Sequence, residues 1–315
     1  MPATVFLPAT FGLIVLAIGL WTYRRDLFAF DATGDTRLRS LGPVFIASAI
    51  ATFSGEHLSA VHDLAQMVPK WFPLPIPTTY VVGVCLLAAG VSIATKRGVE
   101  WSAPLLGLLF ALFVLLIYAP SAARHPRLHL VWIFPFREGT FAVAGFSLFV
   151  FATRPAWSDG FARFARFWAA FVIAFYGVLH LLYPAFAPGV PSEVKTAAWV
   201  PFPQAVAYVT GVILVVLGMA ASFRKTAVPA ITSAGALMTV ATVVLYVPNL
   251  FLATGPAQEI TAINFVADTL LFAGAMFAIA TAVGAGRGGG ALTDSTRPLR
   301  FKGKSFELQS QFSGE

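Results

Sequence analysis

The sequence predicts an all-α, polytopic membrane protein with about nine transmembrane helices: one N-terminal helix followed by two parallel four-helix-bundle repeats. Three observations predict this. The chain is 58% hydrophobic and only 11% charged, with 30 Phe among 315 residues, whereas a soluble domain carries about 25% charged residues. Apolar runs of about 20 residues, the length that crosses a bilayer, follow one another along the chain. Finally, "WFPLPIPTTYVVGV" at 71–84 returns as "WVPFPQAVAYVTGV" at 199–212 with seven of fourteen positions identical and no gap.

Taken in order, the spans fall at about 4–22, 41–62, 79–95, 101–119, 138–153, 163–183, 204–222, 227–248 and 262–284. Pro, Gly and basic clusters such as "TKRGVEW" and "SFRKTAVP" separate them. The first span has no positive charge before it and Arg24 and Arg25 just after it, the reverse of a secretory signal, so it reads as a retained helix. Of the 21 Lys and Arg, 16 fall in the odd-numbered loops and the C-terminal tail, and five in the even-numbered loops (Lys70, Arg124, Arg127, Arg137 and Lys195). The positive-inside rule then predicts a multi-pass protein of the cell (inner) membrane, N-terminus outside and C-terminus cytoplasmic. Trp21, Trp101, Trp157 and Trp168 would mark the inner interface, and Trp71, Trp132 and Trp199 the outer one. From Gly284 the Gly-rich, polar tail cannot bury enough apolar surface to order itself.

The opening match continues without a gap from 71–120 onto 199–248, with 13 identities in 50. They include Trp71/Trp199, Gly90/Gly218, Tyr118/Tyr246 and Pro120/Pro248. "FSGEHL" at 53–58 faces "FYGVLHLL" at 175–182, and "FAVAGFSLF" faces "LLFAGAMFA". Spans two to five and six to nine therefore form two copies of one unit. An even number of spans per copy makes the repeat parallel. This divides the chain into a helix and loop over 1–40, repeats over 41–162 and 163–284, and a tail over 285–315.

A Gly followed shortly by His57-Leu58 near a helix end, then "VPKWFP" and a "YVVG" helix start, resembles the DoxX family of small four-helix membrane proteins, here as two tandem copies. The resemblance implies a four-helix unit. It also implies, for some members, a membrane subunit of an oxidoreductase that exchanges electrons with quinone. Carried over, the helix-end His lands on His57 and His180, and the Trp corner on Trp71 to Pro73 and, less completely, on Trp199 to Pro203. The second copy lacks the Glu before its His and the Lys before its Trp, which puts its site in doubt.

Ionisable groups inside a bilayer are costly unless paired or facing a cavity, so each is a functional candidate. Glu56 and His57 lie just inside the outer end of span two, and His180 lies at the matching end of span six with Tyr176 one turn earlier. Arg137 and Glu138 are expected to open span five, and Asn264 and Asp268 span nine, from the same side. Tyr118 and Tyr246 lie at the outer ends of spans four and eight, and Trp71 in the corner. Gathered at one depth, these residues predict a pocket rather than a path across the membrane. Glu56, His57, His180 and Asp268 are the groups that would move protons to a quinone carbonyl. Trp71, Tyr118, Arg137, Glu138, Tyr176, Tyr246 and Asn264 would hold the ring.

Quinone is thus the expected ligand, with no covalent cofactor and no metal site. The expected partners are the lipid bilayer and a redox protein that supplies electrons, the chain being at most a membrane subunit of a quinone-linked oxidoreductase. The alternative is a non-enzymatic membrane scaffold or a lipid- or small-molecule-binding protein. One cysteine, Cys85, excludes an internal disulfide or a CxxC relay. The basic residues flank apolar runs instead of forming one face, which argues against nucleic acid. No phosphate loop, nucleophile elbow or zinc motif occurs.

Overall fold

The computed structural model describes residues 2–29, 33–189 and 194–286; most of the Gly-rich tail lies outside the described residues. Helices α1 (Ala3–Leu27), α2 (Gly34–Ser40), α3 (Gly42–Ser59), α4 (Val61–Ala65) and α5 (Pro75–Thr95) open the chain. They are followed by α6 (Val99–Phe113), α7 (Ala119–Arg124), α8 (His129–Thr153) and α9 (Ser158–Leu182). The last four are α10 (Pro203–Ser222), α11 (Ala227–Ala241), α12 (Val247–Leu252) and α13 (Pro256–Ala285). Among the described residues there is no strand, and nine helical segments are long and apolar enough to cross a membrane.

Backbone geometry repeats at the same spacing as the sequence. α6 and α11 begin at Val99 and Ala227, 128 residues apart, and each runs into a π-helical turn, Val114–Tyr118 and Thr242–Tyr246, again 128 apart. Pro120 and Pro248 explain both turns. Their rings have no N–H to donate and crowd the carbonyl four residues back, so the hydrogen-bond ladder widens just before them. The two Trp-Pro corners match as well. Leu74 and Phe202 both adopt left-handed backbone, φ 53° and 48°, before a proline that starts the next helix. Bulky residues pay for that conformation, and proline at the first helical position costs nothing because its N–H would be unpaired anyway.

Three helices form the centre. α13 packs against α3, α8, α9 and α11, while α1 lies on α3, α6 on α8, and α10 on α9. α3 and α8 are among the most buried spans and have the lowest mean hydropathy of the nine. In hydrocarbon this is the expected order: apolar side chains face lipid, and small or polar ones face other helices. Glycines permit the closest approaches. A methyl group at Gly145 of α8 would meet Gly107 N of α6 at 2.7 Å, and one at Gly274 of α13 would meet Gly42 O and Ile46 N of α3 at 2.9 Å. At Gly177 of α9 it would meet Val215 N of α10 at 2.7 Å.

Two spans start earlier than hydropathy suggested. α8 begins at His129, not near 138, and α13 at Pro256, not near 262. A hydropathy window stops at the first charges, whereas the helix continues because those charges find partners inside the bundle.

Gly274→Leu should drive α13 off α3 and destabilise the fold by about 1–3 kcal/mol, read as a lowered midpoint of thermal unfolding in detergent; Gly160→Ala, where nothing lies within 4 Å of an added methyl group, should leave it unchanged.

Candidate functional site

A cavity of about 500 Å³ opens inside the first repeat, between α3, α5, α6, α8 and α13. Its position follows from the local structures just described. The π turn brings Ile117 and Tyr118 to its wall, the α4–α5 corner covers it with Met67, Val68, Pro69 and Phe72, and α5 contributes Thr79, Val82 and Leu86. Leu109, Phe110, Leu112, Phe113 and Leu116 complete an apolar side. The opposite side is polar: Glu56, His57, Arg137, Glu138, Asn264 and Asp268.

Helix register converges these groups. Arg137 lies eight residues into α8 and Asp268 twelve into α13, which at 1.5 Å per residue is roughly 12 and 18 Å from the helix starts. They were expected to open their spans at the interface; the structure places them two to three turns inside. Arg137 is 7% exposed, Glu138 5% and Asp268 3%, so their charges must be met within the protein. Arg137 Nη1 donates to Asp268 Oδ2 at 2.7 Å, and its Nε and Nη2 donate to Glu138 Oε1 at 3.2 and 3.1 Å. The planar guanidinium can serve two carboxylates at once. It thereby ties α8 to α13.

Glu56 is held differently. Asn264 Nδ2 donates to its two oxygens at 3.3 and 3.1 Å, linking α3 to α13 through a neutral amide. His57 Nδ1 lies 2.8 Å from the Phe53 carbonyl oxygen. A carbonyl only accepts, so Nδ1 carries the hydrogen and Nε2 is left for the cavity. Three carboxyl groups, one imidazole nitrogen and one guanidinium therefore surround one end of an otherwise apolar hollow. Such a set can accept or donate hydrogen bonds to a polar headgroup and can exchange protons with it.

The other sequence candidates lie elsewhere, each for a visible reason. His180 is fully buried, but in the second repeat, where its Nε2 accepts from the Gly189 N–H at 3.1 Å. Tyr246 donates to the Pro188 carbonyl at 2.9 Å. The segment Ala187, Pro188 and Gly189 is buried against these two side chains, so the chain's own loop fills the place where a second hollow would be expected. Tyr176 donates to the Ile133 carbonyl at 3.0 Å and packs edge-on against Phe272, joining α9 to α8. Trp71 is 67% exposed and is not on the wall of this cavity, where its neighbour Phe72 stands. The sequence reading missed the wall residues Phe53, Phe110 and Phe134. Phe53 lies one turn before Glu56 and His57, a usable signal, but the others are hidden among many Phe. Tyr118, which was expected, stacks on Phe134 with ring centroids 5.5 Å apart.

Compared with known proteins, the chain matches no family model, no curated protein and no solved structure. The DoxX likeness therefore rests on the motif residues alone.

Arg137→Leu should remove the charge that answers Asp268 and Glu138 and cost about 3–5 kcal/mol, and the double change Arg137→Leu, Asp268→Leu should recover part of that loss. Unfolding midpoints of the two variants against the parent measure the coupling; equal midpoints for the single and double variants would deny it. Arg137→Lys should rescue only partly, since a point charge cannot fork between Asp268 and Glu138.

Proposed function

We propose that this chain is a quinone-interacting membrane subunit, working with a redox partner protein that supplies the electrons. One observation carries the reading: a cavity in the first repeat has an apolar, aromatic wall on one side and Glu56, His57, Arg137, Glu138 and Asp268 on the other. A quinone matches that division. Its ring would lie between Phe53, Phe110 and Phe134 and its tail along Leu112 and Leu116, which keep 40% and 36% of their surface exposed. A ring carbonyl would face the polar end. Reduction of a quinone to the quinol takes two electrons and two protons. The electrons come from the partner, and the chain's part is the protons.

His57 is the group for one of them. With Nδ1 bonded to Phe53, Nε2 of the neutral ring can take a proton from a protonated Glu56 carboxyl and pass it to a quinone carbonyl oxygen, which leaves Glu56 ionised and the imidazole neutral again. The carboxylates around Arg137 offer a second route, and Asn264 keeps Glu56 oriented. The charge distribution of the loops supports placement in the cell membrane with this end of the bundle outside and the C-terminus cytoplasmic. The DoxX resemblance points to the same class of activity.

A second reading is a non-enzymatic scaffold or a protein that holds a lipid or another small amphiphile. It is favoured by the way Arg137, Glu138 and Asp268 satisfy one another, as a purely structural pin would.

Chain purified from its native membrane should release a quinone on solvent extraction. His57→Ala combined with Glu56→Gln should lower the affinity for an added short-tail quinone by about tenfold or more, the worth of one or two hydrogen bonds, while the fold survives. Extracts free of quinone, with parent and variant binding the short-tail quinone equally, would leave the scaffold reading.

A further inference from the structure

At the opposite end of the bundle from the polar cavity, α9, α10 and α13 enclose a cleft of about 510 Å³. Arg163 and Arg166 reach it from the first turns of α9 and Arg224 from the turn after α10, with Phe223 and Val283 as apolar wall. Neither a hydrogen bond nor an ion pair engages any of the three guanidinium groups among the described residues. The Arg166 Nε–H is buried with no acceptor among the described residues, and buried donors rarely stay unmet. Against three positive charges the described lining holds one carboxylate, Asp159. We propose that this cleft binds the phosphate of an anionic phospholipid headgroup, with the acyl chains running over exposed Phe223 and Phe167.

The chemistry selects that ligand. Guanidinium forks fit phosphate oxygens in pairs, and three around one hollow match a single phosphodiester, with the Arg166 Nε–H supplied with its acceptor. Phe223 is 67% and Phe167 54% exposed beside the basic groups, so the site has an apolar exit for lipid tails. A soluble anion would have no use for that exit. The charge bias of the loops puts this end in the cytoplasmic leaflet, where anionic lipids concentrate and where basic pockets between helices take their headgroups.

The test uses the full chain, delipidated in detergent, and follows thermal unfolding by tryptophan fluorescence while dioctanoyl phosphatidylglycerol, dioctanoyl phosphatidylcholine or inorganic phosphate is added. Phosphatidylglycerol should raise the midpoint saturably and phosphatidylcholine much less. Arg163→Gln, Arg166→Gln and Arg224→Gln together should weaken the apparent affinity by about tenfold or more, Asp159→Asn should strengthen it, and Arg127→Gln at the far end should leave it unchanged. If the triple variant does not fold, Arg166→Gln alone serves the same purpose. An equal rise with inorganic phosphate would replace the lipid by a soluble anion. An equal rise with both lipids, or an undiminished rise in the arginine variants, would overturn the proposal.

Discussion

The arrangement of this bundle depends on one guanidinium. A charged side chain two turns inside a membrane helix has no water to turn to, so Arg137 has to be answered by the chain itself, and Asp268 and Glu138 answer it from α13 and α8. That requirement fixes the register of α13 against α8. The same face of α13 then presents Asn264 to Glu56 of α3. The central helix is positioned by polar contacts at one end and by close glycine packing against α3 further along, a division suited to a medium in which apolar surface gives no drive for helices to associate.

The two repeats share a backbone and differ in content. Both have the left-handed residue before a proline, the long helix and the π turn. At the end where the π turns lie, the first repeat has a hollow walled by Glu56, His57, Arg137 and Glu138. In the second, Leu179 stands before His180 where Glu56 stands before His57, and the connection between α9 and α10 folds inward until Pro188 and Gly189 meet Tyr246 and His180. α13, although part of the second repeat, contributes its polar groups to the first repeat's cavity. The site is therefore not a copy of either unit but a product of their packing.

That explains what could be read from the sequence. Helix number and the 128-residue register were legible because they depend on long apolar runs and on Pro, Gly and Trp, which keep their meaning out of context. Glu56, His57, Tyr118, Arg137, Glu138, Asn264 and Asp268 were legible as a group because polar residues are so few within the spans. Which of them meet was not. Arg137 and Asn264 looked like interfacial residues, since hydropathy cannot see that a charge has a partner 131 positions away, as Arg137 has in Asp268. His180 looked equivalent to His57 by sequence, and only the inward fold of Ala187 to Gly189 separates them. Trp71 was overvalued because the residue that makes the corner distinctive faces outward, while the adjacent Phe72 does the lining.

The paired widened turns before Pro120 and Pro248 carry one more consequence. Because the turn is present also in the half where the connecting loop packs against Tyr246 and His180, it is held by its proline and does not depend on an open hollow beside it. What distinguishes the two halves is thus confined to a connecting loop and a few side chains, while the scaffold is set by prolines and glycines that both halves share.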